Sequence, residues 1–138
     1  MNHKILVVDD EESILKGIQL NLGRTFDITT AHGPEQALNE VNSSGPFSVV
    51  VSDMRMPGMD GATLMRQIKL KEPKTVCILL TGHADFEFGG SEALQSGQLF
   101  KILNKPCPPD VLKSSIQAAL ATFDHSEQEE EKPPDMVL

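Results

Sequence analysis

Tryptophan and tyrosine are absent from the 138 residues, and phenylalanine occurs only six times. Base stacking on a single-stranded nucleic acid would have to rest on Phe alone. Basic residues are also scarce: 12 Lys and Arg stand against 20 Asp and Glu, for a net charge of −8. No basic stripe marks a nucleic-acid footprint, so no nucleic-acid partner is expected. No apolar run approaches the roughly 18 residues of a membrane span, and no basic segment leads into an apolar stretch. The expectation is a cytoplasmic protein with no membrane partner. There are two cysteines, Cys77 and Cys107, far apart and without metal-ligand spacing. They read as reduced thiols.

The remaining composition, 39% hydrophobic and 23% charged, is that of an ordinary globular domain long enough to bury a core unaided. The charge is uneven. Residues 124–138 carry six acidic residues and Lys132, a net −5 that leaves −3 for residues 1–123. The expected division is a domain over 1–123 and an acidic, Pro-containing tail or linker start over 124–138.

Short apolar runs at 4–8, 27–31, 48–52, 76–81 and 99–103 suit strands, and three of them look buried on both faces, as parallel strands are. Helical spacing lies between them. Ile14, Leu15, Ile18 and Leu22 form one stripe; Ala37, Leu38 and Val41 form another behind Pro34, a good first helical residue. Leu64, Met65 and Ile68 form a third, and Val111, Leu112, Ile116, Ala119 and Leu120 the last. The stretch between the fourth and fifth strands should hold a helix too. Gly89 and Gly90 each cost about 1 kcal/mol there relative to alanine, so a short or irregular helix is expected. Five strand–helix repeats imply one parallel sheet with helices on both faces.

Such sheets bind ligands beyond the carboxyl ends of their strands. Polar residues collect at those ends: Asp9 and Asp10 after the first strand, Asp53 after the third, Thr81 after the fourth, Lys105 after the fifth. Each has a plainer reading alone. Asp-Asp could be a helix cap, Thr81-Gly82 turn chemistry, and Asn104-Lys105-Pro106 a strand exit. Their joint occurrence favours a site. Three close carboxylates repel and raise one another's pKa unless a cation intervenes. Mg²⁺, held by one or two carboxylates, would keep waters and take phosphate oxygens. An ammonium and a hydroxyl would match further oxygens of a phosphoryl group. The set reads as phosphoryl chemistry with a carboxylate acceptor.

The motifs "ILVVDDE", "VVVSDMRMPGMDG", "ILLTGHAD" and "LNKP" stand in the order and spacing of the receiver domain of bacterial two-component response regulators. The chain resembles that family from about Lys4 to Phe123. The resemblance implies a flavodoxin-like, doubly wound, five-stranded parallel α/β sheet of order 2-1-3-4-5, flanked by five helices. It implies that Asp53 is the phosphoacceptor and that Asp9 and Asp10 are the acidic pair for Mg²⁺, Asp10 being favoured as the direct ligand. Asp53 and the backbone carbonyl of Arg55 would complete the protein ligands. Thr81 matches the switch hydroxyl, Lys105 the lysine that pairs with the acyl phosphate, and Phe100 the aromatic switch on the fifth strand. Pro106 follows a peptide bond that is typically cis in the family. Glu11 and Glu12 are left to favour the positive end of the first helix.

The expected function is a signalling switch, one that catalyses only its own phosphorylation and dephosphorylation and is not otherwise an enzyme. Its donor would be the phosphohistidine of a histidine kinase or phosphotransferase, docking near Lys16, Gln19 and Arg24 by the first helix. The changed surface would be the helix four–strand five–helix five face, which also allows a homodimer. The alternative is a receiver-like interaction module that does not depend on phosphorylation. His83 reads as a surface loop residue, though it stands where the family tunes hydrolysis. No output module lies within the chain. "TGHADFE" and "LFKILNKPCPP" are closer to receivers that precede HD-type phosphodiesterase or kinase modules than to those attached to DNA-binding domains.

Overall fold

The strands form where apolar side chains can be buried on both sides. In a computed structural model, which describes residues 3–82 and 99–131, five strands pair in parallel in the order β2-β1-β3-β4-β5. They are β1 (Lys4–Asp9), β2 (Asp27–His32), β3 (Val49–Asp53), β4 (Val76–Thr81) and β5 (Lys101–Asn104). The strands β3 and β4 are buried along their whole length, and β1 everywhere but Lys4. These are the continuous apolar runs of a sheet covered on both faces.

Alternation along each strand sorts the core into layers. Ile5, Val7, Val49, Val51, Ile78 and Leu80 face one side, where Leu15 and Leu22 of α1 (Glu12–Leu22) meet them. Leu112, Ile116 and Ala119 of the last helix, α4 (Pro109–Glu131), pack into the same layer. Leu6, Val8 and Val50 face the other side. They pack on Ala37 and Val41 of α2 (Pro34–Ser44) and Leu64 and Ile68 of α3 (Gly61–Lys71). This is the receiver fold expected from the motifs, with four helices among the described residues.

The region expected to hold a helix between the fourth and fifth strands, with His83, Gly89 and Gly90, lies outside the described residues. So does part of the face proposed for switching and dimerisation, of which β5 and α4 are described. No helix among the described residues is long and apolar enough to cross a membrane.

Three local differences from the sequence reading have physical reasons. The last helix runs on to Glu131, into the segment expected to be a tail. Glu and Gln propagate a helix well once tertiary packing has nucleated it, and Glu127 is tied to Lys74 at 2.8 Å. Phe100 precedes β5 by one residue, although its N–H already donates to the Cys77 carbonyl at 2.8 Å. Arg24 lies in the exposed turn after α1, while Lys16 and Gln19 are on the helix's exposed face.

Candidate functional site

β1 ends on Asp9 and β3 ends on Asp53, so the two strands deliver carboxylates to the same edge. Both are buried, and Asp10, one residue past β1, is the most open of the three. One oxygen from each of Asp9, Asp10 and Asp53 lies within 4.8 Å of the others. Lys105 Nζ sits 2.9 Å from Asp53 Oδ1 and 3.3 Å from Asp9 Oδ2. Four residues that the sequence spreads over almost a hundred positions thus meet in one cluster.

Backbone hydrogen bonds fix the walls. The Lys105 N–H donates to the Thr81 carbonyl at 2.9 Å, which carries the lysine over the end of β4. The Met54 N–H donates to the Leu80 carbonyl at 2.9 Å and holds the residue after Asp53. Asp9 Oδ1 accepts from the Glu11 N–H at 2.9 Å. Glu11 occupies the cap position of α1 but its side chain makes no capping bond; the Asp9 carboxylate instead fixes the backbone at the entrance to the helix. Glu12 does lie in the first turn, where its charge suits the helix dipole.

The loop after Asp53 turns back on itself through Gly58, whose φ of +87° favours glycine. Asp60 then caps α3, its Oδ1 accepting from the Thr63 N–H at 2.7 Å. The Gly61 N–H donates to the Met54 carbonyl at 2.8 Å. A Cβ on Gly61 would stand 2.3 Å from the Asp53 carbonyl oxygen. In the sequence Gly61 reads only as turn punctuation. Its close approach to the site backbone is a tertiary fact that no local signal carries.

Arg55 is exposed at the mouth. With Asp10, Met54, Met56, Pro57 and Asp60 it lines an open cleft of about 470 Å³. Thr81 is buried at the end of β4, its hydroxyl donating to the Gly82 carbonyl at 2.9 Å. Phe100 is half-buried and packs against the layer formed by α1 and α4. The carboxylates, Lys105 and Thr81 therefore share one edge, and Phe100 stands on the flank of the sheet.

The electrostatics follow from burial and charge. Burial pushes the Asp53 carboxyl up; Lys105 pulls it down through a hydrogen bond and its charge, and the Asp9 and Asp10 charges push it up again. The net position is above the ordinary value. For Lys105 burial acts to lower the ammonium, but Asp53 and Asp9 outweigh it and hold it above its usual value. An ionised Asp53 is thus under-compensated by one lysine. Its hard oxygen donors and excess negative charge fit a divalent cation such as Mg²⁺.

A family model for the response regulator receiver domain matches residues 5–117. The chain belongs to that family of two-component signalling domains. It is 34% identical over 135 residues to the DNA-binding transcriptional regulator NtrC of Escherichia coli K12, covering 97% of this chain. The chain spans only 27% of the length of NtrC. Among solved structures, a chain described as adenylate cyclase from Rhodopirellula baltica is 39% identical with a TM-score of 0.91, over 95% of this chain and 96% of that one. The signal receiver domain of an HD domain-containing protein from Pseudomonas fluorescens Pf-5 is 31% identical with a TM-score of 0.82, over 91% and 99%. The relatives therefore include both a DNA-binding regulator and an HD-domain protein, two of the output classes weighed from the sequence.

Proposed function

We propose that the protein is a phosphorylation-dependent switch that takes a phosphoryl group onto Asp53 from the phosphohistidine of a histidine kinase or phosphotransferase. The carrying observation is the cluster itself: three carboxylates within 4.8 Å and Lys105 at 2.9 Å from Asp53. An Asp53 oxygen attacks phosphorus as the donor's N–P bond breaks, and the departing imidazole nitrogen keeps the bonding pair. Hydrolysis of the acyl phosphate later restores the carboxylate.

In this reading Asp9, Asp10, Asp53 and the Arg55 backbone carbonyl hold Mg²⁺. Bound there, the ion supplies charge neutralisation for the phosphoryl oxygens and lets the carboxylates stay ionised together. Lys105, anchored through its own backbone to Thr81, offers an ammonium to a phosphoryl oxygen. The Thr81 hydroxyl, which spends its proton on the Gly82 carbonyl, can exchange that bond for a phosphoryl oxygen. In the same reading Phe100, half-buried beside β5, repacks when Thr81 moves and so changes the surface offered to a partner or an output module. The exposed Lys16 and Gln19 of α1 and the neighbouring Arg24 are proposed to receive the donor protein.

The test is incubation with Mg²⁺ and acetyl phosphate, read by intact mass. A gain of one phosphoryl group that Asp53→Asn abolishes supports the reading. No gain with acetyl phosphate or with a phosphorylated kinase overturns it.

A further inference from the structure

The N-terminal edge of the sheet, opposite the acidic cluster, is a ledge. The Ser48 N–H donates to the Lys4 carbonyl and the Val76 N–H to the Ser48 carbonyl, both at 2.9 Å. The entrances to β1, β3 and β4 are thereby joined in one row. Thr75 Oγ1 adds a bond of 2.7 Å to the Phe47 carbonyl. Two side chains reach from this ledge to the far end of α4. His3 Nδ1 lies 3.0 Å from Ser48 Oγ, while its Nε2 lies 3.2 Å from Asp124 Oδ1. The same ring meets the Phe123 ring edge-on, with centroids 5.7 Å apart and planes at 84°. One turn further on, Lys74 Nζ meets Glu127 Oε1 at 2.8 Å, both side chains half-buried.

None of these contacts serves the phosphorylation site. Two of them, His3–Asp124 and Lys74–Glu127, grip the stretch of helix that composition alone would leave as a tail. We propose that His3 and Lys74 form a latch that holds the C-terminal extension of α4 on the sheet ledge, making residues 124–127 part of the receiver body. The latch sets the direction in which the helix leaves the domain, on the order of 16 Å from the acidic cluster along β1. It can also release. Asp124 is half exposed, and contacts of this kind are individually weak. A helix end held by a few such contacts opens locally without unfolding the domain. The strands it grips by their entrances, β1 and β4, are those that end at Asp9 and Thr81. The latch does not rest on the phosphorylation reading and survives its failure.

Hydrogen exchange of the full chain, read by mass spectrometry, tests it. Residues 120–131 should be protected in the wild type. Lys74→Glu and Glu127→Lys should each speed their exchange, on the order of fivefold. Peptides of β1 and β3 should stay unchanged. The charge swap Lys74→Glu/Glu127→Lys should restore protection, and His3→Ala should release the same segment by itself. Coil-like exchange of 120–131 in the wild type would overturn the proposal, as would single variants without effect. A swap that fails to restore protection, or acceleration spread equally over β1 and β3, would overturn it too.

Discussion

Lys105 Nζ stands 2.9 Å from Asp53 Oδ1, although the strands that lead to them, β5 and β3, are not neighbours. The strand β4 lies between them. The lysine crosses that strand because its own N–H is tied to the carbonyl of Thr81, the last residue of β4. One backbone bond therefore places the only described cation of the cluster, and the threonine that provides it is the proposed switch. Position and the proposed switching share a residue.

Removing that cation leaves a buried, negatively charged cluster uncompensated. Lys105→Ala should lower the stability of the metal-free protein by about 1–3 kcal/mol at neutral pH, the cost of leaving a buried partner unsatisfied. It should also slow labelling by acetyl phosphate by about a hundredfold, the usual loss when one charge-stabilising donor is deleted. Chemical denaturation without Mg²⁺ and a time course of intact mass measure the two effects. Unchanged labelling would remove Lys105 from the site chemistry.

The sign of the Asp53 shift yields a pH prediction. A carboxyl held above its unfolded value of 3.8 binds its proton more tightly in the folded chain. Its ionised form is therefore a cost to folding. That cost is fully present above the folded pKa and disappears as pH falls through the folded value toward the unfolded one. Without metal, Asp53→Asn should raise Tm at pH 7, on the order of a few degrees. The advantage should vanish as pH approaches 4. Paired thermal melts across that range check it, and an Asn variant less stable at pH 7 would contradict it.

Most of the candidate site was legible because parallel strands buried on both faces must carry their polar chemistry at their ends, where Asp9, Asp53 and Thr81 stand. Lys105 follows β5, an edge strand exposed at Lys101 and Asn104, and its place was read from the motif around it. The unread parts depend on tertiary contacts. Gly61 looks like any turn glycine until the Asp53 carbonyl is seen 2.3 Å from its missing Cβ. The run of glutamates after Asp124 suits a solvated tail as well as a helix. The Lys74–Glu127 pair, drawn from a turn some fifty residues earlier, helps decide for the helix. Glu11 stands at the cap position, but its side chain makes no capping bond there.

The four carboxylates at the end of β1, Asp9 to Glu12, should divide by role. Mg²⁺ at about a hundred times its Kd should stabilise the folded protein by about 2.7 kcal/mol. Asp10→Asn should lose most of that gain, because it removes the most open carboxylate of the cluster. Glu12→Gln should retain it, since Glu12 lies in the first turn of α1, outside the cluster, and pairs loosely with Lys16 at 4.0 Å. Thermal shift against Mg²⁺ concentration distinguishes the two. Equal losses would mean that the division is wrong.

Gly61→Ala tests the close approach behind Asp53. The new methyl would meet the Asp53 carbonyl oxygen at 2.3 Å and Leu79 Cδ1 at 2.9 Å. Leu79 could rotate away, but the backbone oxygen belongs to a strand paired on both sides. Overpacking of this kind costs about 3 kcal/mol. The variant should lose that much stability and label more slowly, since relief of the clash shifts the backbone of Asp53 itself. Alanine accommodated with no change in denaturation midpoint would refute the contact.

The two thiols should report opening of the core without touching the site. Cys77 is buried in β4, and burial pushes its thiol up to about 12, a shift that the nearby Lys69 charge only reduces. Cys107 is half-buried; burial and then the Asp110 charge raise it as well. Reaction requires thiolate and access together. At pH 8 an aromatic disulfide reagent should modify one thiol of the native protein, slowly, and that thiol should be Cys107. Cys77 should react only at the rate of unfolding. Because Cys77 packs beside Leu79 and Met65, Gly61→Ala should speed its modification, whereas Glu12→Gln should not. Fast modification of Cys77 in the native wild type would show that β4 opens far more readily than its burial predicts.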